Sequence, residues 1–537
     1  MRKTQSKAMT MDDDRESREP GERLGVPRPP APPSVVIRTA RLVPIRTPVM
    51  GSDPVDLRIA DGVVTDMAPN LLPEPGDHVI DASGRWIIPG LWDQHVHLGQ
   101  CAQSRSRLDV GNTVSSEQVS RLVADRVADL GSAGQESSVI IGSGSRSAIW
   151  PQQPTVDELD AVSGRHPVVL ISGDAHNGWL NSAALQLLGV DARTGAIDEN
   201  DWFPLFPRIA ALTEVQDGLE AAYRQTGVDA AALGVVGITD MEFGPGYHDW
   251  PLRFAAGLDQ LRVRTATYAD RLDEVVAAGL RTGQELDGGA GLLTMGPLKI
   301  ISDGSLNTRT AHCCEPYADA RTSDFPRGKQ NTSPAELALL LERARQSGLE
   351  VALHAIGDAA VSIGLDAFAA TGADGSIEHA QLMRFDDITR MARLGVRASV
   401  QPAHLLDDRD VTQQCWPDRA DRCFPFQTMT RAGVELALGS DAPVAPLDPW
   451  LAMAAAVHRS ADRREPWNPA EALTAAQALA ASTDQQPTVG LGSRGDVVLL
   501  DADPLEPLDG SAAVGAHLRG VHVAATLVAG RPTHLEL

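Results

Sequence analysis

The sequence predicts an α/β chain: a (β/α)8 barrel with an α/β insertion after its first strand, and a small β-sandwich domain built from both chain ends. Three observations predict it. Through the middle of the chain, short apolar runs alternate with helical patterns, which is the mark of βα units around a parallel sheet. The two ends have an all-β texture instead. The apolar runs end in histidine, lysine and aspartate, and the C-terminal strand ends of a barrel are where such residues form a site.

The elements follow in order. Residues 1–34 carry a charge run (Asp12-Asp13-Asp14-Arg15-Glu16) and then a proline cluster (Pro27, Pro29, Pro30, Pro32, Pro33). Neither can bury a core, so a disordered tail is expected. Arg2, Lys3 and Lys7 are not followed by an apolar segment, so the tail does not read as a secretory signal, and Met9 and Met11 are alternative starts. In 35–88, Val35-Val36-Ile37-Arg38 and Val55-Asp56-Leu57-Arg58-Ile59 read as strands, with a hairpin at Asp61-Gly62. The texture returns in 485–537, at Gly495 to Asp501 and His522 to Leu527. One composite sandwich from both ends suits termini that lie close together.

Between them, 89–484 reads as the barrel. Ten runs qualify as strands: Trp86 to His97, Val139 to Ile141, Val168 to Ser172, Gly237 to Met241, Val263 to Tyr268, Leu298 to Ser302, Val351 to Ala355, Ser376 to His379, Ala398 to Gln401 and Leu436 to Ser440. Two of them fall in 100–230, a long tract after the first strand. Assigning that tract to an inserted subdomain leaves eight.

Composition narrows the function. The net charge of −24 over 537 residues and the lack of a Lys/Arg cluster argue against nucleic acid. No run approaches the roughly 18 apolar residues that span a bilayer. Five cysteines, an odd number without a CxxC pair, suit a reducing compartment, so a cytoplasmic location is expected. Of 47 basic residues only Lys3, Lys7, Lys299 and Lys329 are lysine.

The first barrel strand ends Asp93-Gln94-His95-Val96-His97, and side chains two apart on a strand share a face, so two imidazoles converge on one point and suit a metal. Lys299 lies inside an apolar strand, where a charged ammonium is costly. Arginine serves badly where an amine must lose its proton. Such a lysine can act as a nucleophile, react with CO2 to give an anionic carbamate, or pair with a buried aspartate. His354 and His379 end the next two strands, and Asp441 ends the last. Each alone has an ordinary structural explanation, such as a packed histidine or a capping aspartate; together they form a set.

That ordered set, with Asp303-Gly304-Ser305-Leu306, His354-Ala355-Ile356-Gly357-Asp358, Ile377-Glu378-His379-Ala380 and Asn181-Ser182-Ala183-Ala184-Leu185, resembles the amidohydrolase superfamily. Within it, the phrases are similar to the family-3 branch, which includes N-substituted formamide deformylases. The likeness runs over nearly all of 35–537. It implies two zinc ions per chain: His95 and His97 on the more buried one, His354 and His379 on the second, a carbamylated Lys299 bridging them, and Asp441 touching the first and moving the proton. It further implies that His176, Trp179, Asp303 and Arg309 face the substrate.

The implied reaction is hydrolysis of a C–N bond in a small amide-like, non-peptide substrate. Two cations lower the pKa of a shared water; hydroxide attacks; Asp441 takes a proton and returns it to the leaving nitrogen. The sequence departs from the branch at Asn307, His312 and Cys313, in a loop that borders the pocket; His312 and Cys313-Cys314 are either neighbours of the metal site or part of a packed loop. His404, His458 and Trp416 also lie near barrel loops without an assigned role. Two rivals stand beside this reading: a mononuclear hydrolase with unmodified Lys299, and a non-catalytic binding or regulatory protein, which would be expected to lack a ligand. A homodimer is the default assembly.

Overall fold

The computed structural model describes residues 34–49, 53–111, 113–132, 137–145, 150, 152–172, 177–205, 208–209, 211–306, 309–319 and 325–537. Its centre is a barrel of eight parallel strands: β1 (Leu91–Val96), β2 (Val235–Asp240), β3 (Arg262–Tyr268), β4 (Leu293–Ile301), β5 (Val351–Ala355), β6 (Gly375–His379), β7 (Arg397–Val400) and β8 (Leu436–Leu438). They pair in chain order from β1 to β8. The ends meet through a parallel bridge between Val96 and Ala442, with Asp441 N–H donating to the His95 carbonyl at 2.7 Å. Gly439 permits that approach, because a Cβ there would lie 2.7 Å from the His95 nitrogen. All eight strands left after setting the insertion aside are present.

Strands buried on both faces read as apolar runs because helices cover the outside. The helix Pro334–Ser347 shows how sequence sets such a cover. Ser333 and Glu336 make a reciprocal capping box at its start, and Gly348 ends it in the left-handed region at φ 72°. Its buried stripe is Leu337, Leu341 and Ala344.

Two tracts differ in detail from the expected elements. The single strand expected over Trp86 to His97 is two, Trp86–Pro89 and Leu91–Val96, divided at Gly90. A Cβ on Gly90 would sit 2.3 Å from the Val236 side chain, so the chain presses against β2 where it changes sheet. The first piece pairs with Val497–Leu500 and so ties the two chain ends together. The resulting sheet runs Arg531–Leu535, Val523–Val528, Val497–Leu500, Trp86–Pro89, Ser34–Leu42, Val55–Ala60, Val63–Ala68, with Asp77–Asp81 also on Ser34–Leu42. Val35, Ile37, Leu57 and Ile59 share one buried cluster with Val497, Leu499 and Leu527. The expected disordered tail lies outside the described residues except for Ser34, which opens a strand.

Between β1 and β2 stands a separate five-stranded sheet, ordered Ile197–Asp198, Asn177–Leu180, Val168–Ser172, Ile140–Ser145, Leu108–Asp109. Asn181 explains the Asn-Ser-Ala-Ala-Leu phrase. Its side-chain oxygen caps the helix Ser182–Leu187 through Ala184 N–H, and its amide donates to Ser163 Oγ and the His166 carbonyl. The phrase is an anchor of the insert.

Candidate metal centre

The barrel brings the predicted chemistry to one mouth. His95 lies near the end of β1 with His97 just past it, Lys299 is in β4, His354 in β5, His379 closes β6, and Asp441 follows β8. His95 Nε2 lies 3.1 Å from Lys299 Nζ and 3.5 Å from Asp441 Oδ1, and His97 Nε2 lies 3.7 Å from the same oxygen. The His95 ring centroid is 5.0 Å from that of His379, which is 4.5 Å from that of His354. His379 and Asp441 hold left-handed backbones at φ 72° and 57°. Such conformations cost energy in non-glycine residues and gather where side chains must be aimed.

The neighbours of each ring decide which nitrogen carries the proton. His95 Nδ1 is 2.6 Å from Glu378 Oε2, itself bonded to Ser376 through its other oxygen. His379 Nδ1 is 2.8 Å from Gln401 Oε1. His354 Nε2 is 3.2 Å from the Gly304 carbonyl, a contact that only an N–H can make. These three rings thus donate one N–H each to a fixed acceptor and keep one lone pair, the arrangement that orients imidazoles for metal binding, whereas Nδ1 of His97 is buried without a partner. Glu378 and Gln401 were not singled out in the sequence; neither carries a signal apart from being adjacent to His379 or at a strand end.

Electrostatics favour the same state. Burial pushes His97 down to about 4 and His354 to about 3, and holds His95 and His379 well below their ordinary value. Burial also lowers Lys299, against the pull of Glu378 and Asp441. It raises Asp441 to about 7, Lys299 opposing. The imidazoles are therefore neutral at pH 7, while a proton competes for Asp441. The expected result is zinc affinity that falls about tenfold per unit as pH drops below about 7, with little further gain above it. Titration calorimetry in buffers of different ionisation enthalpy checks this; release of no proton at pH 6.5 would contradict it.

The donor set fits a divalent cation. Two groups converge, His95 with His97 and Asp441, and His379 with His404 and Asp441, each with its ligand atoms within 4.8 Å of one another. Imidazole and carboxylate are the ligands zinc takes. His97 and His404 face Asp441 oxygens at 3.7 and 3.8 Å, too far for hydrogen bonds, and a cation between them would remove the cost of leaving these groups unpaired. His354 enters neither triad but packs edge-on against His379.

Of the residues expected to face substrate, three are described, and each has partners within the protein. Asp303 is fully buried, and its oxygens accept from the backbone N–H groups of His312, Ile356 and Gly357. It pins the loop after β5 to the loop after β4. Asp303→Ala would strand three buried donors, so a loss of about 3 kcal/mol or more is expected in denaturant unfolding. Trp179 is buried in the insert, its Nε1–H on the Thr155 carbonyl and its ring against Trp150. Arg309 pairs with Asp319 at 3.1 Å. His176 and Asn307 lie outside the described residues. His312, half-buried, accepts at its carbonyl from the N–H groups of Ala359 and Ala360, and Cys314 N–H donates to Asp358. Beside the metal residues opens a cavity of about 360 Å³, walled by Leu306, Ile356, Gln381, His404 and Val444. That size suits a small molecule.

Comparison with known proteins gives the family and fold. The sequence profile of the Amidohydrolase family matches residues 78–534. The chain is 29% identical over 447 residues to Protein LONG AFTER FAR-RED 3 of Arabidopsis thaliana, covering 76% of this chain and 75% of that protein. It is 25% identical over 500 residues to the N-substituted formamide deformylase of Arthrobacter pascens, covering 85% of this chain and 90% of that one. An uncharacterized metal-dependent hydrolase from Pyrococcus furiosus superposes with a TM-score of 0.72 at 25% identity, over 88% of this chain and all of that one.

Proposed function

The chain belongs to the amidohydrolase family, and from that premise we propose that it is a metal-dependent hydrolase cleaving the C–N bond of a small, amide-like, non-peptide substrate. The observation that carries the reading is the convergence of imidazole lone pairs on both oxygens of Asp441 at 3.5 to 3.8 Å. Divalent cations, zinc by the family likeness, supply an activated water and polarise the carbonyl.

The chain's own residues do the rest. His95, His97, His354 and His379 hold the ions. Asp441 accepts a proton at a carboxylate oxygen and returns it to the leaving nitrogen, so one group serves as base and then acid. Lys299 is the residue that would take up CO2: its neutral Nζ would form an N–C bond and give up a proton, and the resulting carbamate would offer anionic oxygen donors to the ions. Burial supports a neutral amine there. An unmodified Lys299 would instead keep Nζ at 3.1 Å from His95 Nε2, on the lone pair a metal needs. That contact speaks against the mononuclear alternative. The partly apolar cavity supports a small substrate, and the unpaired cysteines support a cytoplasmic setting.

The test is turnover of a panel of N-formyl, N-acyl and cyclic amides by zinc-loaded protein. Hydrolysis abolished by a chelator and restored by zinc is expected. A metal-loaded protein inert to the whole panel, or one whose turnover survives metal removal, would contradict the reading.

A further inference from the structure

Resting on the hydrolase reading, we propose that His404 is itself a metal ligand, and that one divalent cation is held among His379, His404 and Oδ2 of Asp441. This adds a fifth imidazole to the four that the family resemblance supplies.

His404 opens the helix His404–Cys415, just after β7. Its Nε2 is buried and has no hydrogen-bond partner. The facing group is Asp441 Oδ2 at 3.8 Å. That distance is too long for a hydrogen bond, so an N–H at Nε2 would be unsatisfied. A lone pair there would face a carboxylate oxygen across a gap with no donor between them. Both states are costly in a buried site. A cation would satisfy them together: ligand atoms on a tetrahedral zinc stand roughly 3.4 Å apart, a few tenths of an ångström closer than these two.

The same turn grips His379 twice. Gln401 fixes its Nδ1 as the donor at 2.8 Å, which leaves Nε2 for a metal. His404, whose N–H bonds the Gln401 carbonyl, stacks its ring over that of His379 at 6.3 Å and 17°. The three ligand atoms lie within 4.8 Å of one another, and a cation would draw them closer. Asp441 then serves two cation positions, one per oxygen: Oδ1 toward His95 and His97, Oδ2 toward His404 and His379.

The experiment loads metal-free, full-length protein with Zn2+ or Co2+ alone, using equilibrium dialysis with elemental analysis and visible Co2+ absorption. His404→Ala is expected to raise the dissociation constant of the more weakly held ion at least tenfold, to leave the tighter ion unchanged, and to alter the Co2+ spectrum of the second equivalent. His404→Gln, similar in reach and able to offer an oxygen donor, is expected to fall between and guards against a folding artefact. Wild-type constants and spectra in both variants would overturn the proposal while leaving the hydrolase reading intact. A wild-type chain that binds neither ion would overturn the hydrolase reading itself.

Discussion

Asp441→Asn is expected to lower kcat/KM at least ~100-fold, the scale on which a general base and acid acts. The side chain keeps its size and one oxygen donor, so the fold and the tighter metal should persist. What is lost is the ability to take up and hand on a proton. In the metal-free chain burial raises this carboxyl to about 7, against the pull of Lys299, so the site holds a proton on it more readily than on an ordinary aspartate. The variant should also lose the acid-side limb of the wild-type pH–rate profile. Metal content and turnover are measured on the same preparation. Unchanged turnover with metals retained would remove Asp441 from the chemistry.

Lys299→Ala should cost as much or more, by a different route. Lys299 is 2% exposed, and its Nζ reaches the His95 imidazole at 3.1 Å. As a carbamate it would supply an anionic bridge between the cations; without it, two positive ions would sit close together, held by neutral imidazoles and a single carboxylate. Loss of the second metal equivalent and a fall of more than ~100-fold in kcat/KM are expected. Formate, acetate or propionate, small enough to enter the space left by the side chain, should restore both in part. Full metal occupancy without added acid would refute the bridge.

Much of the barrel was legible because burial on two faces forces apolar runs, and the runs end where the polar residues begin. His95 and His97 were legible for the reason given by strand periodicity. That same periodicity hid Glu378. Adjacent strand residues point to opposite faces, yet Glu378 reaches His95 while its neighbour His379 also faces the site. The left-handed backbone at His379 breaks the alternation and lets both serve one centre. His404 begins a helix instead of ending a strand, so its position depends on how β7 turns, and no local pattern encodes that. Asp303 carries a structural task that its motif does not announce. A conspicuous acidic residue in a motif reads as chemistry, and the structure uses it to hold three backbone donors. The division at Gly90 was invisible because the apolar run continues through it; only contact with Val236 explains why the chain bends.

The account depends on lone pairs from separate strands meeting closely enough to share cations. Elemental analysis of the purified full-length chain tests that most directly. Two divalent ions per chain, removable by a chelator and readmitted with recovery of hydrolysis, is the predicted result. A chain free of divalent metal that takes up none at micromolar Zn2+ would contradict it.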